Sequence, residues 1–182
     1  MYEAPRIPMR GLREDGRITA LRLQEGTSAL KVTEVEAKSF LQQMIAAGQA
    51  FTTSFKADVG SGANLDLMIV TPELERVHLA YKVDLEGEAS VTLYEAATAT
   101  AGDALAAYNL DRNSAVDPMV VVTSTPTAVT AGTTTIRQNH LKTGSVAVGE
   151  MILKAETIYL LRCANASGAA NQIAATLEWL EV

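Results

Sequence analysis

The sequence is poor in residues with reactive side chains. Its 182 residues include one cysteine, two histidines and only 5% aromatic residues. A single cysteine excludes an internal disulfide, so a disulfide-stapled secreted scaffold is not expected. No run approaches the ~20 apolar residues of a membrane span, and the N-terminus lacks the apolar core of a signal peptide. These absences favour a soluble, unprocessed protein with an ordinary hydrophobic core.

The sequence also lacks an excess of positive charge. It has 15 basic and 21 acidic residues, a formal net charge of −6, which argues against a general nucleic-acid binder. The charge is uneven along the chain. Residues 1–32 carry six basic and four acidic groups, net +2, whereas the remainder carries nine basic and seventeen acidic groups, net −8. Such asymmetry is typical of an interaction tail.

Residues 1–32 are predicted to form an extended basic arm. Pro5 and Pro8 disfavour helix in the residues before them, and residues 17–23 have the pattern of a short strand suited to adding onto a partner's sheet edge. A disordered terminus is the alternative. If the arm binds a partner, the guanidinium groups of its arginines are suited to bonding carboxylates of that partner. The candidate arm residues are Arg6, Arg10, Arg13, Arg17 and Arg22.

One helix is predicted over residues 34–47, within a segment bounded at 33–48. Thr33 and Glu36 have the spacing of a capping box. An apolar stripe follows at helical spacing, and Gly48 stands where a left-handed residue ends a helix.

Residues 49–182 are predicted to form a mainly β, antiparallel sandwich, with a jelly roll as the best single architecture. Short β-branched segments alternate with turn residues and no helical crossovers intervene. Gly60 and Gly62 lie in what is expected to be a hairpin connection rather than a phosphate-binding loop. The predicted strands are residues 50–58, 65–71, 77–84, 89–95, 119–124, 134–140, 150–155, 157–164 and 172–180.

A long segment, residues 96–118, interrupts this regular pattern. Loops of this length are usually functional or disordered. It is either a long Greek-key crossover or a contact surface between copies, and a short helical turn over residues 104–108 is expected. Its candidate contact residues are Tyr108, Asn109 and Arg112.

Catalytic and metal-binding patterns are weak. His78 and His140 lack the spacing of a metal site. Cys163 is predicted to be a buried apolar residue, with Arg162 on the opposite strand face. The sequon at Asn165 matters only for a secreted chain. We therefore predict no catalytic residue, metal or cofactor.

The runs at residues 67–72, 77–83, 93–95 and 108–114, with Gly87 and Gly102, resemble capsid decoration proteins of tailed bacteriophages, also called cement or head-stabilising proteins. The resemblance implies a β-rich, often trimeric, non-enzymatic structural protein. Its partner would be the major capsid protein, with no direct contact to nucleic acid or membrane. It would lie on the capsid surface of the virion after synthesis in the host cytoplasm. No binding residue is carried over from the family.

Two other functions stay open at this point. A receptor- or glycan-binding module of a phage tail fibre would use exposed aromatic residues, for which Tyr94, Tyr108, Tyr159 and Trp179 are the candidates. A jelly-roll metalloenzyme would need His78 or His140 together with a distant acid.

Overall fold

A computed structural model describes residues 39–73 and 76–182 in full, and the backbone of residues 10–12, 18–23 and 30–35. Contacts divide the chain into two units, residues 1–43 and residues 44–182, which are described separately.

The first unit contains a three-stranded antiparallel sheet in the order β1-β2-β3. Its strands are β1 (Arg10–Leu12), β2 (Ile18–Leu23) and β3 (Leu30–Val35). The strand predicted over residues 17–23 is confirmed as β2, but β3 pairs along its whole length and β1 pairs with residues 18–20. Only three residues of β2 keep an open edge, so this strand pairs within its own sheet, and its addition onto a partner's sheet stays a prediction.

The predicted helix begins later than the sequence suggested. Helix α1 spans Phe40–Ala46, whereas Thr33 lies within β3. Ser39 forms the capping box instead, because Gln42 N–H donates to its Oγ at 3.2 Å and Ser39 N–H donates to Gln42 Oε1 at 2.9 Å. The β-branched residues between positions 30 and 35 favour the extended conformation that overrides the apparent cap at Thr33. Gly48 ends the helix at φ +71°, as predicted.

The second unit, the jelly-roll unit, consists of antiparallel strands and the C-terminal part of α1. Its strands are β4 (Ala50–Val59), β5 (Asn64–Val70), β6 (Val77–Leu85), β7 (Ala89–Glu95), β8 (Thr98–Thr100), β9 (Asp103–Ala104), β10 (Tyr108–Asn109), β11 (Val121–Ser124), β12 (Thr127–Thr130), β13 (Thr134–Leu141), β14 (Gly144–Leu153), β15 (Ile158–Asn165) and β16 (Asn171–Glu181).

Two sheets face each other, in the orders β10-β4-β16-β6-β14 and β13-β7-β15-β5-β11-β9, and β8 pairs separately with β12. The eight long strands, β4 to β7 and β13 to β16, pair so that the first lies beside the last, the second beside the seventh, the third beside the sixth and the fourth beside the fifth. This is the order of a hairpin ribbon rolled up on itself, which defines a jelly roll. The predicted fold class, a β-sandwich of jelly-roll type, is confirmed.

The alternation of β6 explains how one sheet face becomes core. Every second residue from Val77 to Leu85 is buried, whereas Lys82 between them points to solvent. In the same core the rings of Phe51 and Trp179 stack, with centroids 5.8 Å apart. Both side chains are fully buried, and because Phe51 and Trp179 are paired residues of β4 and β16, their stacking strengthens the contact between these two strands of the first sheet.

Three expectations about connections are corrected. The segment around Gly60 is not a hairpin, because β4 and β5 belong to different sheets. Strand β14 begins at Gly144 rather than at residue 150. No helical turn covers residues 104–108, because Asp103 and Ala104 pair with β11, and β10 pairs with β4.

Candidate partner-binding surface

The insertion, defined as residues 96–133, lies between two strands that pair directly with each other. Because β7 and β13 are antiparallel neighbours, the insertion extends one hairpin rather than crossing the sandwich as a Greek-key connection. It places β10 beside β4 in the first sheet, and β11 with β9 beside β5 in the second. Because its strands hydrogen-bond to both sheets, the insertion is an ordered part of the jelly-roll unit.

Asn109 anchors the insertion from inside. Its side chain is 9% exposed, and its Nδ2 donates to Gly48 O at 2.8 Å and to Val116 O at 3.2 Å. Its Oδ1 accepts the N–H of Asp111 at 2.9 Å. A buried amide with all these partners has a structural role, and a contact of Asn109 with another molecule stays a prediction.

Glu181 is a second anchor, which sequence reasoning missed. This carboxylate is 5% exposed and accepts three N–H groups. Trp179 Nε1 donates to its Oε1 at 3.0 Å, Val120 N at 2.9 Å and Met119 N at 3.0 Å. A buried charge is tolerated where hydrogen bonds satisfy it. The last strand thereby holds the start of β11 in place.

Four large apolar side chains of the anchored insertion remain in solvent. Their exposures lie between 49% and 53%. We call this set the insertion patch, and it comprises Tyr108, Val116, Met119 and Val121. The guanidinium of Arg112 lies 5.3 Å from the centroid of the Tyr108 ring. Aromatic residues, methionine and arginine are the types enriched in protein–protein interfaces.

The geometry of the patch favours a macromolecular partner over a small ligand. A shallow cavity of about 170 Å³, lined among others by Tyr108, Arg112, Val116 and Asp117, is the concave part of this surface. Ligand pockets usually measure roughly 300–1,000 Å³ and bury most of their ligand. A surface this shallow suits a flat protein contact.

The basic arm predicted from the sequence is described only in part. Arg10 lies on β1 and Arg22 on β2. Arg6, Arg13 and Arg17 lie outside the described residues.

The two histidines each pair with a separate glutamate. His78, on β6, contacts Glu150, and His140 Nε2, on β13, lies 3.0 Å from Glu88 Oε1. Because β6 and β13 belong to different sheets, the structure does not bring the imidazoles together. Across residues 39–73 and 76–182 no group of three or more His, Cys, Asp or Glu side chains is placed to hold a metal ion.

Cys163 is fully buried, as predicted. Burial raises the pKa of its thiol to about 12, with a smaller contribution from Asp66. Arg162 points to the other face of β15, where its Nε and Nη2 donate to the two carboxylate oxygens of Asp66 at 2.8 and 2.7 Å. This ion pair raises the pKa of Arg162, and no cation faces the thiol on that strand.

We expect Cys163 to resist alkylation in the native protein. At pH 8 a thiol of pKa about 12 is ionised in about one molecule in ten thousand, against roughly a quarter for a free cysteine. Maleimide labelling, followed by mass spectrometry, should be at least 100-fold slower in buffer than in denaturing urea. The matched control is an Ala147→Cys variant, whose exposed thiol on β14 should label rapidly in both conditions. Rapid native labelling of Cys163 itself would contradict the buried placement.

Asn165, the asparagine of the sequon, holds neighbouring turns together through its side-chain amide. Asn165 is 3% exposed, and its Nδ2 donates to the carbonyl oxygens of Val59, Gly60 and Ala169 at 2.8–3.0 Å. Its Oδ1 accepts from Ser167 N at 2.9 Å. The amide that glycosylation would modify is therefore fully engaged in the folded chain.

The four aromatic residues considered for sugar binding differ in how far their side chains are exposed. Trp179 and Tyr159 are each 1% exposed and belong to the core, and Tyr94 is half-buried. Tyr108 alone of these four projects into solvent.

Comparisons with protein-family models, with curated proteins and with solved structures found no match to this chain. In the described part of the chain, no helix has the length and apolar character needed to cross a membrane.

Proposed function

We propose that this protein is a non-enzymatic virion structural protein that decorates a tailed-bacteriophage capsid and stabilises it by bridging major capsid protein subunits. The sequence resemblance to capsid decoration proteins supports this function. The jelly roll is an architecture that viral capsid proteins share with lectins and cupins, so the confirmed fold is compatible with it.

One observation carries the proposal: the insertion is anchored by buried hydrogen bonds and yet exposes four large apolar side chains, of which Tyr108 and Val116 line one shallow cavity. Buried Asn109 and Glu181 hold its backbone, so little conformational entropy is lost when a partner covers it. Exposed apolar side chains on a pre-organised segment are typical of a protein-binding site.

The size of the patch explains why such a protein would work as an oligomer. Covering four half-exposed side chains contributes about 1 kcal/mol each, or about 4 kcal/mol in all. This alone corresponds to weak binding, of about millimolar affinity. A trimer that presents three such patches to one lattice gains avidity by multivalency, and it bridges neighbouring subunits when its patches bind different ones.

We expect a double substitution in the patch to weaken capsid binding. Tyr108→Ser with Val116→Ser removes two of the four apolar side chains, about 2 kcal/mol of burial per copy, or at least a tenfold loss of affinity. Co-sedimentation with empty capsids, with occupancy quantified on gels, measures the effect.

The matched control for this experiment is Ile152→Ser on β14, which replaces a side chain that is 59% exposed outside the patch. Its occupancy should equal that of the wild type. Equal occupancy for the patch variant would remove the patch from the mechanism, and failure of the wild type to bind any capsid would overturn the proposed function.

The exposed ring of Tyr108 favours one alternative function, a phage receptor- or glycan-binding module. Sugars stack on aromatic faces, but Arg112 already lies over this ring. Saturable binding of the wild type on a glycan array, lost in Tyr108→Ser, would favour this alternative over capsid decoration.

A further inference from the structure

We propose that copies of this chain assemble head to tail by strand addition, with β3 of one copy pairing with the open edge of β4 in the next. This inference takes from the proposed function only the expectation that the protein is an oligomer. It adds which two surfaces of the chain form the contact between copies.

The edge of β4 is only partly covered. On the side away from β16, β10 pairs with β4 over two residues, and Leu110 N–H donates to Ala50 O at 2.8 Å. Antiparallel residues direct their N–H and C=O groups alternately to the two sides, so Ser54, Lys56 and Asp58 direct theirs to this open side. Within residues 39–73 and 76–182 no strand pairs with them there.

Apolar side chains lie half-buried along this open edge. Phe55 and Ala57 face the core from β4, and Leu105 and Ala107 of the insertion also pack against the core, but all four keep part of their surface in solvent. A strand added at this edge would extend the sheet beside Phe55 and Ala57 and cover more of their surface. Strand addition obtains affinity from main-chain hydrogen bonds and specificity from such side-chain positions.

The same chain contains other outer strands, and of these β3 matches the open run of β4 in length, whereas β13 and β14 are longer. Strand β3 is the outer strand of its sheet and pairs only with β2 among the described residues. It has six residues, and the open run of β4 from residue 54 to residue 59 also has six. Unpaired edges of this length are rarely left uncovered, because they recruit further strands.

Charge favours a contact between the first unit of one copy and the jelly-roll unit of another. Residues 1–43 carry seven basic and six acidic groups, net +1, whereas residues 44–182 carry eight basic and fifteen acidic groups, net −7. Contact between two jelly-roll units would bring two strongly acidic bodies together. The first unit is the part of a second copy that this acidic body attracts.

The contact is heterologous, because it joins two different surfaces. Heterologous contacts repeat from copy to copy and produce a ring when the rotation closes. A three-membered ring would be the trimer that the family resemblance implies.

The test compares Lys56→Pro with Lys56→Ala in the full-length chain. Proline removes an N–H from the middle of the open edge without breaking a bond to β16. Sedimentation equilibrium should show a closed oligomer for the wild type and Lys56→Ala, and a monomer for Lys56→Pro, a threefold fall in mass for a trimer. The emission of the buried Trp179 verifies that each variant is folded.

Hydrogen exchange read by mass spectrometry identifies the strand that occupies the edge. In the wild-type oligomer, amides of residues 30–35 and 54–58 should be protected together, and both segments should lose protection on dilution or in Lys56→Pro. Protection of 54–58 alone, pairing of two β4 edges, or a wild type that is monomeric at all concentrations would overturn the inference.

Capsid co-sedimentation separates this inference from the proposed function. A monomeric Lys56→Pro protein that binds each capsid site with reduced avidity agrees with both. A wild-type ring that binds no capsid would overturn the proposed function but support strand addition between copies. A wild-type monomer that binds capsids would overturn strand addition but support the proposed function.

Discussion

Replacing Gly132 with alanine is expected to lower the free energy of unfolding of the jelly-roll unit by about 3 kcal/mol. A Cβ at this position would lie 1.8 Å from the carbonyl oxygen of Glu95 and 2.9 Å from the carbonyl carbon of Ala96. Both are backbone atoms, so no side chain can rotate away to relieve the overlap. The start of β13 would have to move away from the end of β7.

This prediction is measured by urea unfolding followed by the emission of the single tryptophan, Trp179, which is 1% exposed in the native core. The matched control is Gly168→Ala, because nothing lies within 4 Å of a Cβ built there. We expect the control to change the unfolding free energy by less than about 0.5 kcal/mol. Equal midpoints for the two variants would contradict the close approach at Gly132.

Gly102 provides an independent repeat of the same argument at the other end of the insertion. A Cβ there would lie 1.9 Å from the carbonyl oxygen of Ser124. Gly132 therefore marks where the insertion rejoins the sheet beside the end of β7, whereas the close approach at Gly102 lies within the insertion, at the end of β11. A sequence alone shows such glycines as ordinary loop residues, since the carbonyl groups that exclude a side chain come from distant positions.

The long strands other than β14 could be predicted from the sequence because each carries its own pattern. The alternation from Val77 to Leu85 identifies β6 and its buried face without reference to any neighbour. The boundaries of β7 were predicted correctly for the same reason. Local pattern is sufficient where one face of a strand meets the core throughout its length.

Elements that depend on distant partners were not readable in this way. The two residues of β10 form a strand only because β4, more than fifty positions earlier, offers its edge. Asn109 appeared to be a surface residue because its type is usually exposed, but the carbonyl of Gly48 and the turn at Val116 draw it inside. At residues 30–35, a local capping pattern competed with pairing to β2, and pairing prevailed.

Truncating Glu181 to alanine is expected to cost about 4 kcal/mol, because it leaves the N–H groups of Trp179, Met119 and Val120 without an acceptor in a buried setting. Glu181→Gln keeps one acceptor oxygen and should cost about half as much. Both losses are measured by urea unfolding, and the order of wild type, glutamine and alanine is the signature of an acceptor role.

The matched control is Glu178→Ala, which removes an exposed glutamate from the same strand and should change stability by less than about 0.5 kcal/mol. Loss of the Glu181 carboxylate should also loosen the insertion patch, since this carboxylate accepts the backbone N–H of Met119. Limited proteolysis within residues 112–118 should therefore accelerate in Glu181→Ala and not in Glu178→Ala. Cleavage at equal rates in the two variants would show that Glu181 stabilises the core without positioning the surface proposed to bind the capsid.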